Sequence, residues 1–232
     1  MSRLLGRREF LQAALVAGTA VPAVTSPSLS FGNQAEAPKS PNEKLNLAFI
    51  GVWAKGLDNL RNLSHENVVM LCDIDSERLG MAHAMFPKAK KTDDYRKVFD
   101  VPHLDGVVVS TPDHMHAIPT AMALRQGLAV YCEKPLTHTI HELRIIKELA
   151  AKNKCITQMG TQIHAGGNYR RVVELIQAGV IGQVSRVHVW QSKQVPACFR
   201  AQPDATPPST VNYDLWLGPA PHRPFHKSHF HF

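Results

Sequence analysis

Ile50-Gly51-Val52-Trp53-Ala54-Lys55-Gly56-Leu57-Asp58-Asn59-Leu60 follows the apolar run Leu47 to Ile50 and leads into Leu57 to Leu63, which has helical spacing. A glycine-bearing turn between a strand and a helix lets backbone N–H groups approach a pyrophosphate. Its first glycine makes the turn, its second admits the phosphates, and its third lets helix and strand pack closely. Gly51 and Gly56 hold the first and third places here, and Trp53 holds the second. A tryptophan forced into the positive φ open to glycine would carry strain of about 1–3 kcal/mol. Its side chain would also crowd the pyrophosphate. Either the indole points away and Ala54, with its small side chain, lets Val52 and its neighbours approach the phosphates, or the dinucleotide binds weakly.

Outward from this turn the chain repeats one pattern. Strands are expected at Leu47 to Ile50, Val68 to Cys72, Gly106 to Ser110, Leu128 to Cys132 and Cys155 to Met159. Helical spacing separates them at Leu57 to Leu63, Glu77 to Phe86, Ile118 to Gln126 and Ile140 to Asn153. Alternation of this kind predicts an α/β fold with a doubly wound parallel sheet, and Val107-Val108-Val109 reads as a central strand covered on both faces. Asp73 ends the second strand, 73 − 51 = 22 residues after the first glycine. An acid about 20 residues on accepts hydrogen bonds from the adenosine ribose, and it would repel the 2′-phosphate of NADP, so NAD is the expected cofactor.

The N-terminal segment differs in kind. Arg7-Arg8-Glu9-Phe10-Leu11 places twin arginines ahead of a small-residue-rich apolar run, Leu11 to Val24, that is short for a bilayer span. A Ser/Pro/Gly-rich stretch from Thr25 to Pro41 follows, so residues 1–41 read as a twin-arginine export signal and linker. Cleavage is expected between Ala20 and Gln34, leaving no stable membrane anchor. The formal charge of +7 is scattered among acids without a basic run or interleaved aromatics, which argues against a nucleic-acid partner. Export would permit disulfides, but Cys72 and Cys132 lie on strands separated by two others, roughly 14 Å at the usual strand spacing. A disulfide needs Cα atoms within about 7 Å, so buried thiols are expected.

Two further segments fall at the carboxyl ends of strands, where such sheets bind ligands: Ser110-Thr111-Pro112-Asp113-His114-Met115-His116-Ala117 and Glu133-Lys134-Pro135-Leu136. Together with Gln158-Met159-Gly160-Thr161-Gln162, the stretch from Ala178 to Trp190 and Tyr213 to Pro221, they resemble the glucose-fructose oxidoreductase / inositol dehydrogenase / MocA family of NAD(P)-dependent oxidoreductases. The resemblance implies a Rossmann domain over residues 42–161, then the first part of a mainly antiparallel α+β domain over residues 162–232. It also implies a sugar, polyol or related secondary alcohol as substrate, and homo-oligomers. By the same resemblance Ser110, Thr111, Pro112 and His116 line the nicotinamide side of the cofactor, Glu133 and Lys134 lie beside it, and Gln162 contacts the cofactor amide. Lys134 is the one catalytic residue assigned, because hydride removal from a carbinol needs a proton acceptor or donor at the oxygen. A partly buried lysine near a cationic nicotinamide should have a lowered pKa.

Other readings remain open on sequence alone. His114 and His116 are two residues apart with no third ligand nearby, so no metal site is assigned, and His222, His226, His229 and His231 near the end read as loop. The family's downstream Asp and His, on a helix beyond the Trp216-Leu217-Gly218 segment, have no counterpart here. The family includes glycosidases that use NAD transiently, and a nucleotide-binding remnant without catalysis is a third possibility. A helix from Tyr169 to Ala178 with Gly179 as its cap, then an exposed edge strand around Val184 to Gln191, is expected after Gln162.

Overall fold

The computed structural model describes residues 43–164, 166–190 and 206–226. Its centre is a six-stranded, all-parallel sheet: β1 (Asn46–Ile50), β2 (Asn67–Cys72), β3 (Lys90–Thr92), β4 (Gly106–Val109), β5 (Ala129–Glu133) and β6 (Thr157–Gly160), in the order β3-β2-β1-β4-β5-β6. The crossover helices are α1 (Lys55–Asn62), α2 (Ser76–Met85), α3 (Ala117–Arg125) and α4 (Ile140–Asn153); α5 (Gly167–Gln177) and α6 (Tyr213–Leu217) follow. This is the dinucleotide-binding strand order, and its direction reverses between β1 and β4.

The inner strands bury both faces because alternate residues serve different cores. Ala48, Ile50, Met70, Cys72, Val107, Val109, Val130 and Cys132 pack with α3 and α4 on one side. Leu47, Phe49, Leu71 and Val108 meet Leu60, Leu79 and Ala82 on the other. Period-two alternation therefore disappears from the four inner strands β1, β2, β4 and β5, and each of these reads as an apolar run. Local signals agree: Thr139 and Glu142 close a capping box on α4, and Asp75 caps α2 through Glu77 N–H.

All five expected strands and all four expected crossover helices are present, with boundaries moved by one or two residues. Strand β3 and the 3₁₀ turn Tyr95–Asp100 are additions to the sequence reading. β3 is three polar residues, Lys90-Lys91-Thr92, on an outer edge, so no apolar signature marks it. Cys72 and Cys132 are buried free thiols on β2 and β5, with β1 and β4 between them; burial pushes the Cys132 thiol up to about 11 and raises that of Cys72 as well.

Past β6 the expectation is met only in part. Helix α5 forms and Gly179 follows it at φ +71°, its N–H bonded to the Ile176 carbonyl. The expected strand from Val184 does not form through Trp190, and Gln191 lies outside the described residues. Backbone groups there have no neighbouring strand among the described residues to pair with, and Val187, Val189 and Trp190 are exposed. The segment expected to be an export signal, Cys198, His229 and His231 also lie outside the described residues.

Residues 206–226 return to the cofactor domain as a strap. Ser76 N–H donates to the Thr210 carbonyl at 2.8 Å and Asn212 N–H to that of Ile74 at 2.9 Å, a short antiparallel bridge beside the β2–α2 turn. Trp216, Leu217 and Phe225 form a small core against Ile74, Val211 and Tyr213. Gly218, at φ +52°, lies where a Cβ would collide with the Met115 sulfur, so a side chain here would be strained and would have to displace that thioether.

The glycine turn is tighter still. A Cβ on Gly51 would lie 2.5 Å from the Ser110 carbonyl oxygen, and one on Gly56 would collide with the carbonyl oxygen of Gly51. Both contacts are to backbone, which cannot swing aside. Gly56→Ala should therefore destabilise the chain by about 3 kcal/mol or more, measured as a lowered midpoint in urea with unchanged slope.

Candidate cofactor site

The turn after β1 is fixed by its neighbours on both sides. Gly51 N–H donates to the Cys72 carbonyl at 2.8 Å, and Ser110 N–H donates to that of Ile50 at 2.8 Å. Gly51 takes φ +84° and the chain enters α1 through Ala54, at φ 49° and ψ −113°, with no side chain capping the helix. Trp53 is therefore free of the left-handed region: the strain assigned to it from sequence falls one residue later, on Ala54. Its indole points away from the turn toward α2, with the Arg78 guanidinium 5.1 Å above the ring. The uncapped first turn of α1 is left for an anion, as expected of a pyrophosphate cradle.

Asp73 stands just past β2 and ties this turn down. Its Oδ2 accepts from Val52 N–H at 2.9 Å and its Oδ1 from Asp75 N–H at 3.0 Å. Burial pushes its carboxyl above the ordinary range, against the opposing pull of those two N–H donors and of Arg78. Each oxygen keeps a second lone pair, so a ribose diol can still donate to it.

Across the switch point, β4 and β5 deliver the remaining groups. Glu133 is buried, and its Oε1 accepts from Asn59 Nδ2 at 2.9 Å and Tyr131 Oη at 3.4 Å. Asn59 Nδ2 also reaches Ser110 Oγ at 3.1 Å, so one amide links α1, β4 and β5. Gly160 makes room for this carboxylate, since a Cβ there would lie 2.8 Å from Glu133 Cδ. Asn59, Tyr131 and Gly160 were missed from sequence. Asn59 carried a signal: it lies three residues after Gly56, on the helix face that must be buried.

Two buried polar atoms at this end have no protein partner, Glu133 Oε2 and Thr111 Oγ1. Unsatisfied buried oxygens are costly, and here they fit donors and acceptors of a polar ligand. The glycine cradle, the open helix turn, Asp73 and these two atoms fit a dinucleotide. His116 departs from expectation: it is 1% exposed, with Nδ1 2.5 Å from the Pro135 carbonyl and Nε2 2.7 Å from that of Thr111. Both ring nitrogens face backbone, so His116 braces the Thr111 and Pro135 loops together instead of facing the cofactor. His114 likewise turns Nε2 to the Trp216 carbonyl at 2.6 Å.

Pro112 is exposed at the mouth of the β4 loop. Lys134 follows Glu133 and is exposed, not partly buried as expected, because no described element covers that side of the β5 loop. Gln162 is also exposed, beyond β6.

A family profile described as oxidoreductase family, NAD-binding Rossmann fold, matches residues 45–161, just over half of the chain. The chain belongs to this family. Among curated relatives it is similar to inositol 2-dehydrogenase 4 of Saccharopolyspora erythraea, 27% identical over 167 residues, which cover 69% of this chain and 49% of the relative. An inositol 2-dehydrogenase of Rhodococcus jostii is 29% identical over 69% of this chain and 45% of its own length. The crystal structure of myo-inositol 2-dehydrogenase from Lactobacillus plantarum superposes with a TM-score of 0.58 at 25% identity, covering 61% of this chain and 43% of that one. The chain thus spans about half the length of the curated oxidoreductases it matches.

Two outcomes follow from the geometry. Ala54→Gly removes strain of about 1–3 kcal/mol and adds backbone entropy to the unfolded chain, for a net gain of about 1 kcal/mol in thermal unfolding. For Asp73 the folded state holds its proton more tightly than the unfolded state. Its contribution to stability is therefore present below the ordinary aspartate range and lost as pH rises through the raised folded value. Ribose hydroxyls donate to the ionised form, so NAD affinity measured by calorimetry should strengthen as pH climbs through that same window and level off above it.

Proposed function

We propose that this chain carries the cofactor half of an exported NAD-dependent oxidoreductase acting on a secondary alcohol of a sugar or polyol, an inositol being the first substrate to try. The observation that carries the reading is the meeting of the glycine turn, Ser110 and the Glu133-Lys134 pair at one end of the sheet, with Asp73 beside them. When bound, NAD supplies the hydride acceptor or donor.

Backbone N–H groups of Trp53, Ala54 and Lys55, between the bonded N–H groups of Val52 and Gly56, hold the pyrophosphate, and Asp73 takes the adenosine ribose and disfavours NADP. Ser110, Thr111 and Pro112 line the nicotinamide half. Glu133, fixed by Asn59 and Tyr131, uses its unpartnered Oε2 to orient that half, with Gln162 at the cofactor amide. Lys134, next along the chain, accepts the proton from the substrate hydroxyl as its neutral amine on oxidation and, as the ammonium so formed, returns it on reduction. Its exposure leaves it free to meet a substrate. His116 contributes by brace alone. The names of the inositol dehydrogenase relatives support the substrate class, and Arg7-Arg8 with the apolar run behind them supports export by the twin-arginine route. Assembly into homo-oligomers, as in the family, belongs to the same proposal; no nucleic acid is involved.

Calorimetry with the whole chain should find NAD binding, with NADP weaker by about tenfold or more. Absence of heat with NAD would refute the reading. Lys134→Met should cut NADH formation from inositols and aldoses by about 10²- to 10⁴-fold while moving the NAD Kd less than about threefold. A large loss of NAD affinity would instead make Lys134 a cofactor anchor.

A further inference from the structure

The proposed cofactor site leaves the Trp53 side chain without a role, although a large aromatic residue standing 40% exposed at its rim calls for one. The surroundings of this indole are specific. Arg78, in the first turn of α2, is held by Asp75 Oδ2 at 3.2 Å and lies with its guanidinium carbon 5.1 Å from the centre of the indole. Asp75 is itself fixed as the N-cap of α2 and by its N–H bond to Asp73. The indole is thus anchored through Arg78 and Asp75 to the residue that the ribose would contact. Val52, the neighbour of Trp53, donates its N–H to the other oxygen of that same carboxylate.

These contacts give the position of the indole along a bound dinucleotide. The pyrophosphate belongs at the glycine turn and the adenosine ribose at Asp73; the base then lies beyond Asp73, over the β2–α2 side. Trp53 and Arg78 stand on that side. We propose that Trp53 is the stacking platform for the adenine base: Arg78 covers one face of the indole by cation–π contact and the base takes the other, giving a layered adenine–indole–guanidinium arrangement. This rests on the reading of the site as one for NAD.

A tryptophan in the middle glycine position thereby gains a function. Adenine presents a flat π face, and stacking on an aromatic residue is worth roughly a tenfold or greater change in affinity on truncation to alanine. The guanidinium on the opposite face fixes the ring plane before the ligand arrives, so the chain orders less on binding.

The test is a calorimetric comparison of NAD, AMP and nicotinamide mononucleotide on the whole chain and its variants. Trp53→Ala should weaken NAD and AMP about tenfold or more and leave nicotinamide mononucleotide unchanged, whereas Trp53→Phe should retain most of the affinity. Arg78→Ala should weaken AMP less than Trp53→Ala does, and AMP should quench a part of the tryptophan fluorescence that is missing in Trp53→Phe. Wild-type binding of NAD with AMP affinity unchanged in Trp53→Ala would overturn the stacking role and leave the cofactor reading standing. Equal losses for AMP and nicotinamide mononucleotide would also overturn it, by showing a general effect on the turn. A wild-type chain that binds neither NAD nor AMP would bring down both proposals together.

Discussion

Everything at the ligand end of the sheet depends on one backbone approach, that of Gly51 and Gly56 to each other and to Ser110. A Cβ at Gly51 would lie 2.5 Å from the Ser110 carbonyl oxygen, and the Gly56 position abuts the Gly51 carbonyl. Only hydrogen atoms fit between these peptide groups, so the start of α1 is drawn against the carboxyl ends of β1 and β4. Asn59, one turn into that helix, is thereby brought within hydrogen-bond reach of Ser110 and Glu133. Moving α1 outward by the width of a methyl group would break both of those contacts and open the anion cradle.

The second constraint is the reversal of strand order between β1 and β4. Loops leaving neighbouring strands on opposite sides of that point diverge, and the divergence makes the crevice. The strap then stiffens its walls: Thr210 and Asn212 pair with the β2–α2 turn, while Trp216 and Gly218 engage His114 and Met115 in the loop after β4. A segment more than a hundred residues downstream thus holds two loops that the sheet alone would leave free on one side.

Much of this was legible in the sequence, for reasons that differ by element. The four inner strands were visible because burial on both faces turns them into apolar runs, as in Ala48-Phe49-Ile50 and Val107-Val108-Val109. β3 was not, because an outer-edge strand of Lys90-Lys91-Thr92 has no burial to record. Gly51, Gly56 and Asp73 declared themselves by spacing, which chain geometry sets. The use of His116 did not, since a histidine facing two carbonyls and one facing a ligand look the same in one dimension. The strain at Ala54 was hidden for a similar reason: residue spacing locates a turn but does not say which of its peptides inverts.

The two halves of the proposed site are built in opposite ways. Asp73 accepts from Val52 and Asp75, so the carboxylate placed to read the ribose also holds the glycine turn to the β2–α2 turn. Cofactor recognition there is inseparable from the fold, and a change in Asp73 alters the shape of the cradle along with its charge. Lys134 is the reverse case: exposed, one residue past a buried and doubly hydrogen-bonded Glu133, it takes its position from its neighbour. The proposed proton-transferring group can therefore be matched to a substrate without disturbing the proposed cofactor site. A fold arranged this way can keep one dinucleotide site while the proposed alcohol substrate changes, because the residues that fix the first do not include Lys134, the residue proposed to meet the second.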